Sequence, residues 1–285
     1  MCSVRQREKV DTVVIGGGQA GLSVGYHLMR RGVPFVILDA HQRVGDVWRK
    51  RWDSLRLFTP ARFDALDGMP FPALPNEFPT KHQMADYLEA YAQHFQLPVR
   101  TGIRVDKVSR RGSTYIVKAG EYRFEAENVV VAMSKYQEGH VPEFARDLNA
   151  QIKQLHSCEY RNPGDLRPGP VLIAGGGNSG AEIARELAAD HKIWFAGRDV
   201  GQIPFRLGSL LGRTFLTRLM LRVVFHRVLT MQTPLGRKVR PKVLHIGGPL
   251  IRVKWKHLAD AGAERVPKVV GVRDGLPLLQ NGEVL

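Results

Sequence analysis

Residues 10–15 form an apolar, β-branched run that breaks at Gly16-Gly17-Gly18. Leu22, Tyr26 and Met29 then recur at helical spacing until Gly32. A second apolar run, 33–38, closes on Asp39. This order predicts strand, glycine turn, helix and strand, one βαβ unit of about thirty residues. The pattern returns later. Residues 171–174 are apolar, Gly175-Gly176-Gly177 follow, a helix carries Ile183 and Leu187, and 192–196 form a short apolar strand ending at Gly197-Arg198.

Between the two units the pattern changes. Residues 53–80 are rich in Pro, Phe and Leu without a period and are expected to form a long ordered loop. Pro79-Thr80 opens a predicted helix with Met84, Leu88, Tyr91 and Phe95 on one face. Short alternating runs at 103–105, 115–117, 122–124 and 129–131 predict a small β-meander. Residues 162–170, rich in Pro and Gly, read as a linker, and 207–229 as a helix with Arg among large apolar residues.

The expected fold class is α/β, with two Rossmann-like dinucleotide-binding domains, 1–165 and 166–285, and the β-meander in the first. A length of 285 residues suits two domains, and 44% hydrophobic with 24% charged residues is an ordinary globular balance. The 2 cysteines, Cys2 and Cys158, are far apart, so neither a C-x-x-C redox pair nor a metal cluster is expected. Residues 1–11 lack the apolar core of a signal peptide, and no run reaches the ~18 apolar residues of a membrane span, so a cytoplasmic setting is expected.

In the first unit Gly16, Gly18 and Gly21 make G-x-G-x-x-G around Gln19 and Ala20. The first glycine permits the turn, the second lets backbone approach a pyrophosphate, and the third lets helix and strand pack. The helix N-terminus then favours the diphosphate, and Asp39 is placed to accept ribose hydroxyls and disfavour a 2′-phosphate. A structural βα turn is the plainer reading. The second unit repeats the pattern with Gly175, Gly177 and Gly180 around Asn178 and Ser179, but its second strand ends at Arg198 instead of an acid. A guanidinium there predicts NADPH over NADH, with Asp199 softening the preference; a solvated surface charge is the alternative. Two such sites suggest FAD on the acid-ended unit and NADPH on the Arg-ended one.

Charge adds a further feature. The net charge is +15, and no acid stands between Asp199 and Asp260. That segment holds Arg206, Arg213, Arg218, Arg222, Arg227, Arg237, Lys238, Arg240, Lys242, Arg252, Lys254 and Lys256. The readings, in order, are cofactor capture or a packed helix with a solvated basic face, peripheral membrane contact through 207–229, and, distantly, nucleic acid. No nucleic-acid-reading motif is present.

Further residues carry a resemblance. Gly45-Asp46-Val47-Trp48 follows the first unit, Arg51-Trp52-Asp53-Ser54-Leu55-Arg56-Leu57 comes next, and Leu155-His156-Ser157 with Tyr160 precedes the second. Together these resemble the flavin-containing monooxygenase family, including its bacterial flavoprotein oxidoreductase branch. Gly45 and Trp48 are similar to its G-G-x-W segment beside the flavin, and 175–180 to its G-x-G-N-S-G site. Departures stand at Asp46, at Ala150 and Ile152 before His156, at Ala132-Met133-Ser134, and at Leu57-Phe58-Thr59.

The resemblance implies an FAD-dependent, NADPH-consuming oxidoreductase that uses O2, through a peroxyflavin, to oxygenate a small organic substrate. An NADPH oxidase without oxygen transfer and a non-catalytic NADPH-binding protein are the alternatives. The cofactors perform the hard chemistry, so no catalytic side chain is assigned. His156 is expected either to couple the two domains or to be a turn histidine satisfied locally, and Trp48 either to border the flavin or to pack in the core. In this family the chain returns to the FAD domain after the NADPH domain; the expectation here is that this return, and the closing strand of the second domain, are absent.

Overall fold

The computed structural model describes residues 6–134, 139–246 and 248–285. The chain divides into two compact units, Met1–Arg51 with Ala61–Gly139 and Trp52–Pro60 with His140–Leu285.

In the first unit β1 (Gln6–Ile15) leads through α1 (Gln19–Arg30) to β2 (Phe35–Leu38), which pairs parallel with β1, Val14 opposite Ile37. The short α2 (Asp46–Arg49) and the longer α3 (Lys81–His94) follow, and β3 (Val99–Arg100) extends the sheet beside β2. Then come β4 (Lys107–Arg111), β5 (Thr114–Ala119) and β6 (Tyr122–Val131), and the six strands lie in the order β3-β2-β1-β6-β5-β4. Covering both faces of β1 explains why 13–15 are apolar without alternation. Val13, Ile15, Val36, Leu38, Val117 and Phe124 form the core on one face. Val14 and Ile37, which point to the other, are equally buried.

Two expectations for the meander are corrected. Residues 103–105 form no strand; instead Ile103 N–H donates to the Asp39 carbonyl (2.8 Å). The runs 122–124 and 129–131 are one ten-residue strand. Their polar bridge, 125–128, stays extended because it is laddered to β1, Glu125 opposite Lys9 and Asn128 opposite Thr12. Backbone pairing overrides the break in side-chain pattern.

Helix α3 begins where the pattern places it, with Thr80 and Gln83 closing a capping box. Its tyrosines then fix the preceding loop. Tyr87 OH accepts from Leu66 N–H (2.7 Å) and donates to the Met69 carbonyl (2.8 Å), while Tyr91 OH donates to the Asp67 carbonyl (2.7 Å).

The second unit has its own three-stranded parallel sheet. Strand β7 (Val171–Ala174) runs through α4 (Asn178–Leu187) to β8 (Ile193–Ala196), and β9 (Glu264–Val266) lies beyond β8, in the order β7-β8-β9. Between β8 and β9 the chain is helical. Gly212–Leu216 and Met220–Val228 wind with the wide π-helical turn on either side of α5 (Thr217–Leu219), followed by α6 (Pro234–Ile246) and α7 (Trp255–Asp260). The hairpin of β10 (Val269–Arg273) and β11 (Leu276–Leu279) closes the described chain. Residues 162–170, read as a linker from composition, lie inside this unit: Asn162 caps the turn Pro163–Asp165 and donates from Nδ2 to Asp53 (2.8 Å).

Candidate functional site: two nucleotide cradles

Each unit presents one helix start shaped for an anion. Gly18 and Gly177 are the N-cap residues of α1 and α4, and neither start carries a side-chain cap. Their first-turn N–H groups therefore lack intrahelical and side-chain acceptors, and the helix dipole adds positive potential. The glycines divide their work in the same way twice. A Cβ on Gly21 would lie 1.8 Å from the Gly16 carbonyl, and one on Gly180 2.3 Å from the Gly175 carbonyl, so the third glycine is demanded by packing. A Cβ on Gly18 or Gly177 would meet nothing within 4 Å. The second glycine thus keeps an open concavity where a diphosphate fits, with exposed Gln19 and Ala20 on the rim of the first and half-buried Ser179 beside the second.

The units differ where their second strands end. In the first, Asp39 Oδ2 accepts from Gly17 N–H (2.6 Å) and Oδ1 from His41 N–H (2.7 Å). His41 Nδ1 also lies 2.9 Å from Oδ1. These three contacts orient the group, and of a carboxylate's roughly four acceptor positions about one is left for a ribose hydroxyl. In the second, the register puts Gly197 where Asp39 stands, because Ala174 pairs with Ala196 as Ile15 pairs with Leu38. Gly197 has φ of 158°, and a Cβ there would lie 2.3 Å from Gly176 N. The corner is closed to any side chain, and Arg198 follows one residue later.

Arg198 lines an open pocket of about 560 Å³ with Gly197, Arg265, Lys268 and Gln280. Asp199, next to it, is held down by accepting from Gly201 N–H (2.8 Å) and by Arg265 at 3.5 Å, which together keep its carboxyl below the usual carboxylate range. Arg265 also lies 5.6 Å from the Trp255 ring centroid. The acid beside Arg198 is therefore already paired. Arg265 and Lys268 were not singled out in the sequence because they follow β8 by about seventy residues. Their only local signal is a basic residue at each end of an R-V-P-K stretch.

The remaining candidates are held by contacts within the protein. Asn178 Oδ1 accepts from Ile251 N–H (2.8 Å) and Nδ2 donates to the Pro249 carbonyl (2.9 Å), so its side chain clamps a loop and only its main chain faces the cradle. Gly45 adopts φ of 89° against α3, where a Cβ would lie 2.5 Å from the Ala85 carbonyl. His156 Nδ1 lies 2.9 Å from Cys158 Sγ and 3.2 Å from Cys158 N, the turn arrangement. Buried Tyr160 donates to Glu186 (2.8 Å), and burial together with that carboxylate pushes its phenol well above the usual range. Trp48 is different: its Nε1 is buried with no acceptor among the described residues. A buried donor without a partner calls for one.

Comparison with known proteins agrees with this doubled architecture. The family described as pyridine nucleotide-disulphide oxidoreductase matches residues 13–199, from the first strand to the Arg198 corner. An uncharacterized CzcO-like oxidoreductase of Geobacillus kaustophilus is 43% identical over 187 residues, 66% of this chain and 54% of the relative. A probable indole-3-pyruvate monooxygenase of Arabidopsis thaliana, YUCCA9, is 34% identical over 191 residues, 64% of this chain and 45% of the relative. The chain spans about half the length of the curated relatives it matches. A solved flavin-containing monooxygenase from Stenotrophomonas maltophilia superposes with a TM-score of 0.72 at 30% identity, covering 98% of this chain and 76% of that one. Two nucleotide cradles in one chain, a family match across both, and this structural likeness make the chain a member of the pyridine nucleotide-disulphide oxidoreductase family, in its flavin monooxygenase branch.

Proposed function

We propose that the chain binds FAD in the first cradle and NADPH in the second and works as a monooxygenase, with O2 and a small organic molecule as co-substrates. The observation that carries this is the contrast between the two strand ends. Asp39 offers a carboxylate to ribose hydroxyls, whereas the Gly197 corner offers none and turns the chain toward a pocket holding Arg198, Arg265 and Lys268. A 2′-phosphate is attracted to the second and repelled by the first.

The protein's share of the work is binding and orientation. Gly18 and Gly177 admit the two diphosphates to the starts of α1 and α4. The Arg265 guanidinium partly offsets the Asp199 carboxylate, which would otherwise oppose the phosphate. The buried Trp48 Nε1 is a directional donor that would suit an acceptor on a bound flavin. When bound, the flavin and nicotinamide supply hydride transfer and oxygen activation, which the side chains here do not. Dithiol chemistry has little support in a chain whose 2 cysteines stand at positions 2 and 158.

Visible absorption of the purified chain tests the reading. A flavin spectrum that bleaches on anaerobic NADPH is expected. A protein that stays colourless after FAD addition, or a flavin indifferent to NADPH, rules the reading out. Peroxide released in equal amount to NADPH consumed, whatever organic compound is added, replaces monooxygenation by plain oxidase activity.

A further inference from the structure

The helical segment between β8 and β9 carries a surface that neither cradle uses. In a helix with i→i+5 bonding, residues five or four apart stack along one face. Leu210, Phe215, Leu219, Val223 and Val228 recur at intervals of five, four, four and five, and Met220 and Phe225 continue from Phe215 at intervals of five. Arg218, Arg222 and Arg227 recur at four and five, on a separate stripe. The wide turn of Gly212–Leu216 and Met220–Val228 thus sorts the sequence into an apolar stripe and a cationic one. Both are in water: Leu210 is 72%, Phe215 58% and Phe225 53% exposed, and the three arginines are exposed too. Met231 and Leu235 farther on are exposed too, and α6 carries exposed Arg237, Lys238 and Arg240.

We propose that this face docks peripherally on an anionic lipid membrane. Contiguous exposed leucine and phenylalanine mark an interaction surface. Charge decides the partner. No acid occurs between Asp199 and Asp260, so a second copy would set arginine against arginine with no carboxylate to pair them. A nucleic acid would match the arginines and leave the Leu/Phe stripe in water. A membrane of anionic headgroups over acyl chains satisfies both stripes together. No helix among the described residues is long and apolar enough to cross a membrane, so the segment lies in the interface plane.

Co-sedimentation of the full chain with phosphatidylcholine vesicles, with and without phosphatidylserine, tests this. Binding is expected only to the serine-containing vesicles, and raising salt should weaken it by at least about tenfold. Two variants separate the stripes: Phe215→Glu with Phe225→Glu, and Arg218→Gln with Arg222→Gln and Arg227→Gln. All five positions are exposed, so both variants should melt as the parent does, and each should lose vesicle binding. Failure to pellet with anionic vesicles, equal binding to neutral ones, or binding retained by both variants overturns the proposal. So does a dimer in sedimentation velocity that Phe215→Glu with Phe225→Glu dissolves, which would assign the face to a second copy.

Discussion

The carboxylate of Asp39 accepts a 2.6 Å hydrogen bond from the backbone N–H of Gly17, tying the end of β2 to the glycine turn twenty-two residues earlier. The acid thereby builds the cradle it is expected to serve. Asp39→Ala should weaken FAD binding by about 1.5–3 kcal/mol, the scale of a charged hydrogen bond. Asp39→Asn, which keeps an acceptor for Gly17, should lose less. Flavin titration by fluorescence measures both, and an unchanged affinity in the alanine variant would remove Asp39 from the site.

The glycines separate binding from folding. Gly18→Ala and Gly177→Ala place a methyl in open space at ordinary φ, so stability should stay within about 1 kcal/mol of the parent's. FAD affinity should fall in the first and NADPH affinity in the second. Gly21→Ala, whose Cβ overlaps the Gly16 carbonyl, should destabilise the first unit by several times as much. Equal destabilisation by all three would mean that the second glycines are structural as well.

Selectivity for the phosphorylated nicotinamide should reside in Arg198 and Arg265. Arg198→Ala is expected to cost NADPH about 1.5–3 kcal/mol and NADH little. Arg265→Ala should act in the same direction by two routes, losing a cation from the pocket and releasing Asp199 beside Arg198. The double variant Arg265→Ala with Asp199→Asn should recover part of the loss. Parallel losses for NADH and NADPH, read from equilibrium titrations, would place neither arginine at the 2′-phosphate.

A buried pair gives a pH prediction. Burial raises the Glu182 carboxyl above its usual range despite Arg252, whose Nε lies 3.7 Å away. Arg252→Met removes the nearest cation described at that carboxylate and should destabilise the chain by about 3 kcal/mol at neutral pH. Because the folded-state pKa is raised, the native chain holds this proton more tightly than the unfolded one. The penalty is therefore full above the folded pKa and shrinks as pH falls through it toward the unfolded value near 4.5. Denaturant midpoints across that range check the sign; a deficit that stays constant with pH would show that Glu182 is not the cause.

The sequence by itself determined both βαβ units with their glycine turns, the start of helix α3 at Pro79-Thr80, and the family, because these are local. Strand, glycine turn and helix start lie within a dozen residues, and their spacing follows from backbone geometry. Only the tertiary structure decided the rest. Residues 125–128 are a strand because β1 lies alongside, and Asn178 is a loop clamp because Pro249 and Ile251 arrive beside it. Arg265 and Lys268 join Arg198 because β9 pairs with β8, and Asp199 is quiet because Arg265 comes with that strand. Each of these depends on a partner about sixty or more residues away, or on a ladder that pays no heed to side-chain pattern. Hydrophobic periodicity records which way a side chain faces, not what it meets there.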